Sequence, residues 1–159
     1  MRVGTGYDSH RFTSGRPLIL GSVRIPFEKG LAGHSDADVV AHAVTDAILG
    51  AAALGDIGTH FPPDDARWRD ADSIGLLRHA VRILEERNYQ VVNVDVTVIA
   101  EQPKLRPYVR EMRERLADAL AISPENVSVK GKTNEQMGWV GRGEGIAGMA
   151  VALIDAVRD

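Results

Sequence analysis

No cysteine occurs among the 159 residues. That absence removes disulfides, thiolate metal sites and thiol nucleophiles together, so any metal must be held by histidine and carboxylate. It constrains the compartment only weakly. No apolar run approaches the roughly 20 residues needed to cross a bilayer, and the N-terminus lacks the basic-then-apolar order of a signal peptide. The expectation is a cytoplasmic chain with no membrane partner. Positive charge is not in excess either: 22 acidic against 19 basic residues give a net charge of −3, with the Lys and Arg scattered, which argues against a nucleic-acid partner. Internal repeats and low-complexity tracts are missing, and the connections are too short for interdomain linkers. Residues 1–159 therefore read as one domain, and 44% apolar residues can bury one sizeable core.

What is present alternates between strand and helix periods. Residues 1–12 alternate in β fashion, and 18–25 read as a hairpin, Leu18–Leu20 and Val23–Ile25 flanking Gly21-Ser22. From Asp36 to about Leu54, Val39, Val40, Ala43, Ala47 and Ile48 recur at helical spacing after a Ser35-Asp36 start signal. The stretch from about Phe61 to Asp70 has paired prolines and charges but no periodicity, and reads as an exposed loop. A second helix spans about Asp72 to Arg87, stopping at Asn88. Val92, Val94, Val96 and Val98 then alternate along a strand to Ala100, and a third helix covers Pro107 to Ala121. Val127–Val129 and Ile146–Ile154 return to β, the last apolar on both faces and so expected to be covered on both. The order predicts an α+β two-layer sandwich.

Residues two apart on a strand share a face, so Asp8 and His10 in YDSHR point the same way and Ser9 the opposite way. Asp-x-His alone is a weak metal signal. His42 strengthens it, lying on the apolar side of an Ala-rich helix with Asp38 and Asp46 one turn away, either able to orient the ring. The bland alternative is a core histidine bonded to one of those carboxylates. Two imidazoles and a carboxylate suit a catalytic zinc, which keeps its fourth tetrahedral position open.

His34 and Ser35 stand immediately before the first helix, where free N–H groups favour a phosphate, although Ser35 as simple N-cap fits equally. Thr133, Asn134 and Glu135 follow a strand and offer a hydroxyl and a carboxylate for phosphate and magnesium, or else a capping arrangement. Gly143, Gly145 and Gly148 satisfy GxGxxG, but no strand precedes them and a strand-like segment follows, so a dinucleotide site is rejected and close backbone approach is expected instead.

The segments GYDSHR, GHSDADVVAHAVTDAILGAAALGDIG, FPPDD, AEQPKLRP, KTNEQMG and GRGEGIA together resemble the 2-C-methyl-D-erythritol 2,4-cyclodiphosphate synthase family over nearly the whole chain. The resemblance implies a lyase of the methylerythritol phosphate route to isoprenoid precursors, releasing CMP as 4-diphosphocytidyl-2-C-methyl-D-erythritol 2-phosphate closes to the cyclic diphosphate. It implies one Zn2+ per subunit on Asp8, His10 and His42, diphosphate contacts at His34 and Ser35, and Thr133 as the partner of His34 in transition-state stabilisation. Glu135 would hold Mg2+ or Mn2+ with the substrate diphosphate. Asp56, Ile57 and Gly58, with Phe61, Pro62, Pro63, Asp64 and Asp65, would meet the methylerythritol moiety. Ala100, Glu101, Gln102, Pro103, Lys104, Leu105 and Arg106 would cradle cytosine, and Lys132 and Asn134 would also contact the substrate. It further implies a homotrimer with mixed sheets, helices on one face and active sites between subunits. Trp139 and Arg142 would lie near the substrate and a central channel that accepts an isoprenoid phosphate.

Two rivals keep the same residues. A zinc phosphohydrolase would activate water at the open position, and a scaffold would close the site with a fourth protein ligand, for which neither His60 nor His79 is obviously placed.

Overall fold

A computed structural model describes residues 1–62, 64–68 and 71–157; Pro63, expected at the substrate, lies outside them. Among the described residues seven strands form: β1 (Arg2–Thr13), β2 (Leu18–Leu20), β3 (Val23–Ile25), β4 (Gly30–Leu31), β5 (Tyr89–Ile99), β6 (Val127–Lys132) and β7 (Gly145–Ala156). The helices are α1 (Val39–Ala51), α2 (Ile57–His60), α3 (Ser73–Glu85), α4 (Val109–Leu120) and α5 (Gly138–Gly141). The main sheet runs β4-β1-β7-β5-β6, with β2-β3 a separate hairpin. β7 lies antiparallel to both β1 and β5, while β6 is parallel to β5, and α4 makes the crossover between those two. The mixed sheet carries its helices on one face, as the α+β reading expected.

Why α1 sits where it does follows from β1. On the helix-facing side of the strand are Gly4 and Gly6, and a Cβ built on either would overlap backbone of α1, at Ala47 and Ala51 or at Ala43. Glycine in the strand and alanine on the helix thus let two backbones touch, at the cost of the side-chain packing a larger residue would add. Gly145 and Gly148 of the rejected dinucleotide motif do the same, abutting His10 and Val39, so close approach holds for them; it fails for Gly143, where a Cβ would meet open space and the glycine instead serves a left-handed φ of 70°. Around this seam Val44, Ile48, Leu77, Val96, Leu116 and Ile154 join one buried cluster, each fully buried large side chain contributing about 1.5–3 kcal/mol.

Three sequence expectations are corrected. The first helix starts at Val39, capped by Asp38, rather than at Asp36. Ala37 adopts a left-handed φ of 58° and Asp36 is drawn away to Ser73, so helical geometry begins only after them. Asp38 accepts from Val40 N and Ala41 N and also from Gly21 N and Ser22 N, tying the hairpin turn to the helix start. Val92 does not join the buried alternation: a bulge between Val91 and Asn93 turns it outward, and Val91 takes its place inside. Finally, among the described residues β7 is covered on one face only. On the other, Met149 is 52% and Tyr7 of β1 55% exposed, with Val3 and Val151 beside them.

Among the described residues no helix is long and apolar enough to cross a membrane.

The seam predicts an asymmetric pair of glycine variants. Gly6→Ala should lower unfolding stability by about 2–4 kcal/mol through forced separation of β1 and α1. Gly50→Ala, within α1 with only an ordinary 3.8 Å contact to Thr5 O, should raise it by about 0.5–1 kcal/mol. Denaturant unfolding of both settles the matter, and equal effects would contradict a backbone-to-backbone contact.

Candidate metal centre and substrate-binding residues

Asp8 and His10 project from β1 toward the helix layer, and the short distance between β1 and α1 brings His42 over them. Asp8 Oδ2 lies 3.0 Å from His10 Nε2 and 2.9 Å from His42 Nδ1, and the two ring nitrogens are 3.3 Å apart. Among the described residues this is the group of His, Cys, Asp and Glu whose ligand atoms converge as a metal site would require. All three side chains are partly buried.

The donor chemistry fits a cation. His10 Nδ1 lies 2.7 Å from the Ala32 carbonyl, which can only accept, so Nδ1 carries the proton and neutral His10 presents a lone pair at Nε2. That lone pair faces a carboxylate oxygen, an arrangement favourable only with a proton or a metal ion between them. Protonation trends agree. Burial opposes the charge on Asp8, but hydrogen bonds from His10 and His42, with their charges, outweigh it and hold the carboxyl well below its ordinary range. Burial likewise opposes protonation of His10, and Asp8 more than offsets it, so the imidazole titrates above 6.5.

His42 is not oriented by Asp38 or Asp46. Asp38 is spent on the helix cap, and Asp46 Oδ1 accepts from Ile57 N at 2.7 Å. The far nitrogen, Nε2, lies instead 2.8 Å from Ser73 Oγ and 3.1 Å from Ser35 Oγ. Ser35 is buried and is not an N-cap; its Oγ accepts from Ala37 N. Arg16 holds this loop by donating to the carbonyls of Gly33 and Ser35. His34 is exposed and makes no hydrogen bond among the described residues. Sequence reasoning missed Ser73, Asp36, Arg16 and Ala32. Ser73 reads locally as the start of a helix, and no spacing signal ties it to a histidine 31 positions earlier.

The remaining expected residues fall in three further places. Asp56 caps α2, its Oδ1 accepting from Thr59 N and Oγ1, and Ile57 and Gly58 begin that turn. Phe61 is buried against Trp68 and His79, Pro62 is half-buried, Asp64 is exposed, and Asp65 forms a bidentate pair with Arg67. At the other end of the sheet, Ala100, Glu101, Pro103, Lys104, Leu105 and Arg106 line a cavity of about 760 Å³ with Lys132 and Thr133; Gln102 is exposed beside it. Glu101 is engaged internally, its Oε1 accepting from Asn134 N and Gln136 N. It thereby shapes the turn on which Thr133 Oγ1 donates to Glu135 Oε1 at 2.7 Å, so neither side chain of that pair acts as a helix cap. Trp139 lines a separate cavity of about 670 Å³ with His10 and Phe12, and Arg142 donates to Glu144 at 2.6 Å.

One row across the sheet reads Asp8, Gly148, Val98, Gly131. The metal centre on β1 and the end of β6 that carries Thr133 are thus three strand spacings apart, roughly 14 Å.

Comparison with known proteins adds the following. A model described as the YgbB family matches residues 1–155. The 2-C-methyl-D-erythritol 2,4-cyclodiphosphate synthase of Symbiobacterium thermophilum is 60% identical over 154 residues, 97% of this chain and 98% of its own. The bifunctional IspDF from Campylobacter jejuni, 39% identical, has a TM-score of 0.94 over 98% of this chain, which spans 42% of that protein. IspF of Plasmodium falciparum in its CDP complex, 34% identical, has a TM-score of 0.86 over 99% of this chain and 97% of its own.

Metal binding must displace protons from these ligands. Because Asp8 raises the pKa of His10 above its ordinary 6.5, its proton competes with the metal already above that value, and metal affinity should fall as pH is lowered toward and through it. His42→Ala should abolish stoichiometric metal while the far-UV spectrum is kept. Elemental analysis checks both, and retained metal in His42→Ala would contradict the site.

Proposed function

The chain belongs to the YgbB family, and from that premise we propose that it carries out the reaction for which its relatives are named. It is an enzyme of isoprenoid precursor biosynthesis: 4-diphosphocytidyl-2-C-methyl-D-erythritol 2-phosphate is cyclised to 2-C-methyl-D-erythritol 2,4-cyclodiphosphate with release of CMP. An oxygen of the substrate's own 2-phosphate attacks the β-phosphorus, the bond from that phosphorus to the α-phosphate oxygen breaks, and CMP leaves with the electron pair. Water is not a reactant. The observation that carries this reading is the convergence of Asp8, His10 and His42 in a chain matched to its relatives end to end.

With no thiolate available, two imidazoles and one carboxylate make zinc the metal proposed for that triad, and the carboxylate of Glu135 is typed for magnesium or manganese. When bound, these ions supply Lewis acidity and charge neutralisation to the diphosphate. The chain's own groups do the positioning. His34, exposed beside the metal centre, donates to the diphosphate together with the Ser35 region, and Thr133 donates from the opposite side. Since Thr133 donates its hydroxyl hydrogen bond to Glu135 in the free chain, substrate binding exchanges one acceptor for another: the hydroxyl turns to a phosphate oxygen, which leaves the Glu135 carboxylate free for the magnesium or manganese it would hold. Asp56, Ile57, Gly58 and the segment at Phe61, Pro62, Asp64 and Asp65 take the methylerythritol hydroxyls. Ala100 to Arg106, with Lys132 and Asn134, take cytidine in a cavity of about 760 Å³, enough for a nucleoside diphosphate.

The two halves of this machinery are completed between chains, in a homotrimer. Two features support the assembly: the three-strand separation of metal centre and nucleotide cavity, and the apolar sheet face with Tyr7 and Met149 exposed. The axis of such a trimer would bring together Trp139 and Arg142 from each copy, where an isoprenoid phosphate is the proposed further ligand.

Cyclisation and hydrolysis separate by isotope. In H2(18)O with magnesium, the cyclic product and CMP should form in equal amounts with no 18O in either, read by 31P NMR and mass spectrometry. A linear bisphosphate carrying 18O would show that the site activates water and contradict the cyclase reading.

A further inference from the structure

Behind His42, on the side away from the metal position, three polar side chains meet in the buried corner between α1 and α3. Asp36 Oδ1 accepts from Asp38 N at 3.2 Å and from the Ser73 hydroxyl, and Asp36 Oδ2 accepts from Ser73 N at 3.2 Å. Three donors converging on one carboxylate leave it no role but acceptor. The single hydroxyl hydrogen of Ser73 is therefore committed to Asp36. What Ser73 Oγ then offers at its other side is a lone pair, and the atom there is His42 Nε2 at 2.8 Å. Ser35 Oγ accepts from Ala37 N and lies 3.2 Å from Ser73 Oγ and 3.1 Å from the same nitrogen; with the Ser73 hydrogen committed to Asp36, the Ser35–Ser73 contact takes its hydrogen from Ser35, which fills the second lone pair of Ser73. In the 2.8 Å contact with Ser73 the ring supplies the hydrogen, which puts the proton of neutral His42 on Nε2 and the lone pair on Nδ1, the nitrogen that faces Asp8 and His10.

We propose that Asp36 and Ser73 are positioning residues for the metal centre, a carboxylate–hydroxyl–imidazole relay that fixes the tautomer and the orientation of His42. Neither reaches the substrate: Ser73 is fully buried, and it acts through His42, as Asp36 acts through Ser73. A carboxylate behind a ligating imidazole raises its donor strength and restricts its rotation, effects that commonly change metal affinity about 10- to 100-fold. The relay also fastens α3 to α1, because Asp36 N donates to the Ala71 carbonyl at 3.2 Å.

This inference rests on the triad being a metal centre, and the experiment keeps the two claims apart. Zn2+ affinity is measured by chelator competition for the intact protein and for Ser73→Ala, Asp36→Asn and the double variant. The Co2+-loaded forms are compared by their d–d absorption, and metal-free unfolding curves check that each variant folds. Ser73→Ala should weaken Zn2+ binding about 10- to 100-fold and shift the cobalt spectrum. Asp36→Asn should give a smaller loss of the same kind and add nothing once Ser73 is gone, the mark of acting in series. Wild-type affinity and spectrum in Ser73→Ala, or additive losses in the double variant, would overturn the relay and leave the triad standing. Failure of the unaltered protein to bind Zn2+ would overturn both.

Should Ser73→Ala unfold, Ser73→Thr, which keeps the hydroxyl, decides the matter. Near-native affinity supports the relay; a loss matching His42→Ala in a folded Thr variant contradicts it.

Discussion

Gly6 of β1 lies against the Ala43 carbonyl of α1 with no room for a side chain between them, and the metal end of the molecule depends on that contact. A helix carried on larger side chains would stand farther from the sheet, and an imidazole on it would not reach a carboxylate at 2.9 Å. Small residues on both sides of the seam forgo packing energy to place one histidine. The loss is recovered around the rim, where Ile48, Leu77 and Ile154 fill the space on either side.

The centre so formed is a cluster of acceptors turned inward with their donors spent outward. His10 gives its hydrogen to Ala32, Asp36 absorbs that of Ser73, and Asp38 absorbs the turn and helix N–H groups. Each outward bond leaves the inward atom more available to a cation. The same logic runs at the far end of the sheet, where Glu101 fixes the turn from 134 to 136 by its backbone and leaves Thr133 and Glu135 paired with each other at the surface. Within one chain these two regions face different edges, and the apolar side of β1 and β7 has nothing laid upon it among the described residues.

Periodicity made much of this readable in advance. The alternation of β1 put Asp8 and His10 on one face, the apolar stripe of α1 placed His42 inward, and Gly21-Ser22 marked the hairpin turn. What could not be read was any contact set by tertiary position. Asp38 and Asp46 are a helical turn from His42 and were natural candidates to orient it, yet one is consumed by a cap and the other by α2, while the true neighbours come from Ser35 and Ser73. The bulge at Val92 likewise left no trace in a clean valine alternation. Doubly apolar β7 promised two covers; the described residues provide one.

The central claim is that an open metal centre is built from these three side chains alone. X-ray absorption at the zinc edge of the purified protein tests it directly. The account predicts a shell of two imidazole nitrogens, one carboxylate oxygen and one exchangeable light atom at about 2.0–2.2 Å, with a phosphorus scatterer entering when a cytidine diphosphate is added. Absence of zinc, or a closed shell of four protein ligands unchanged by the nucleotide, would contradict it.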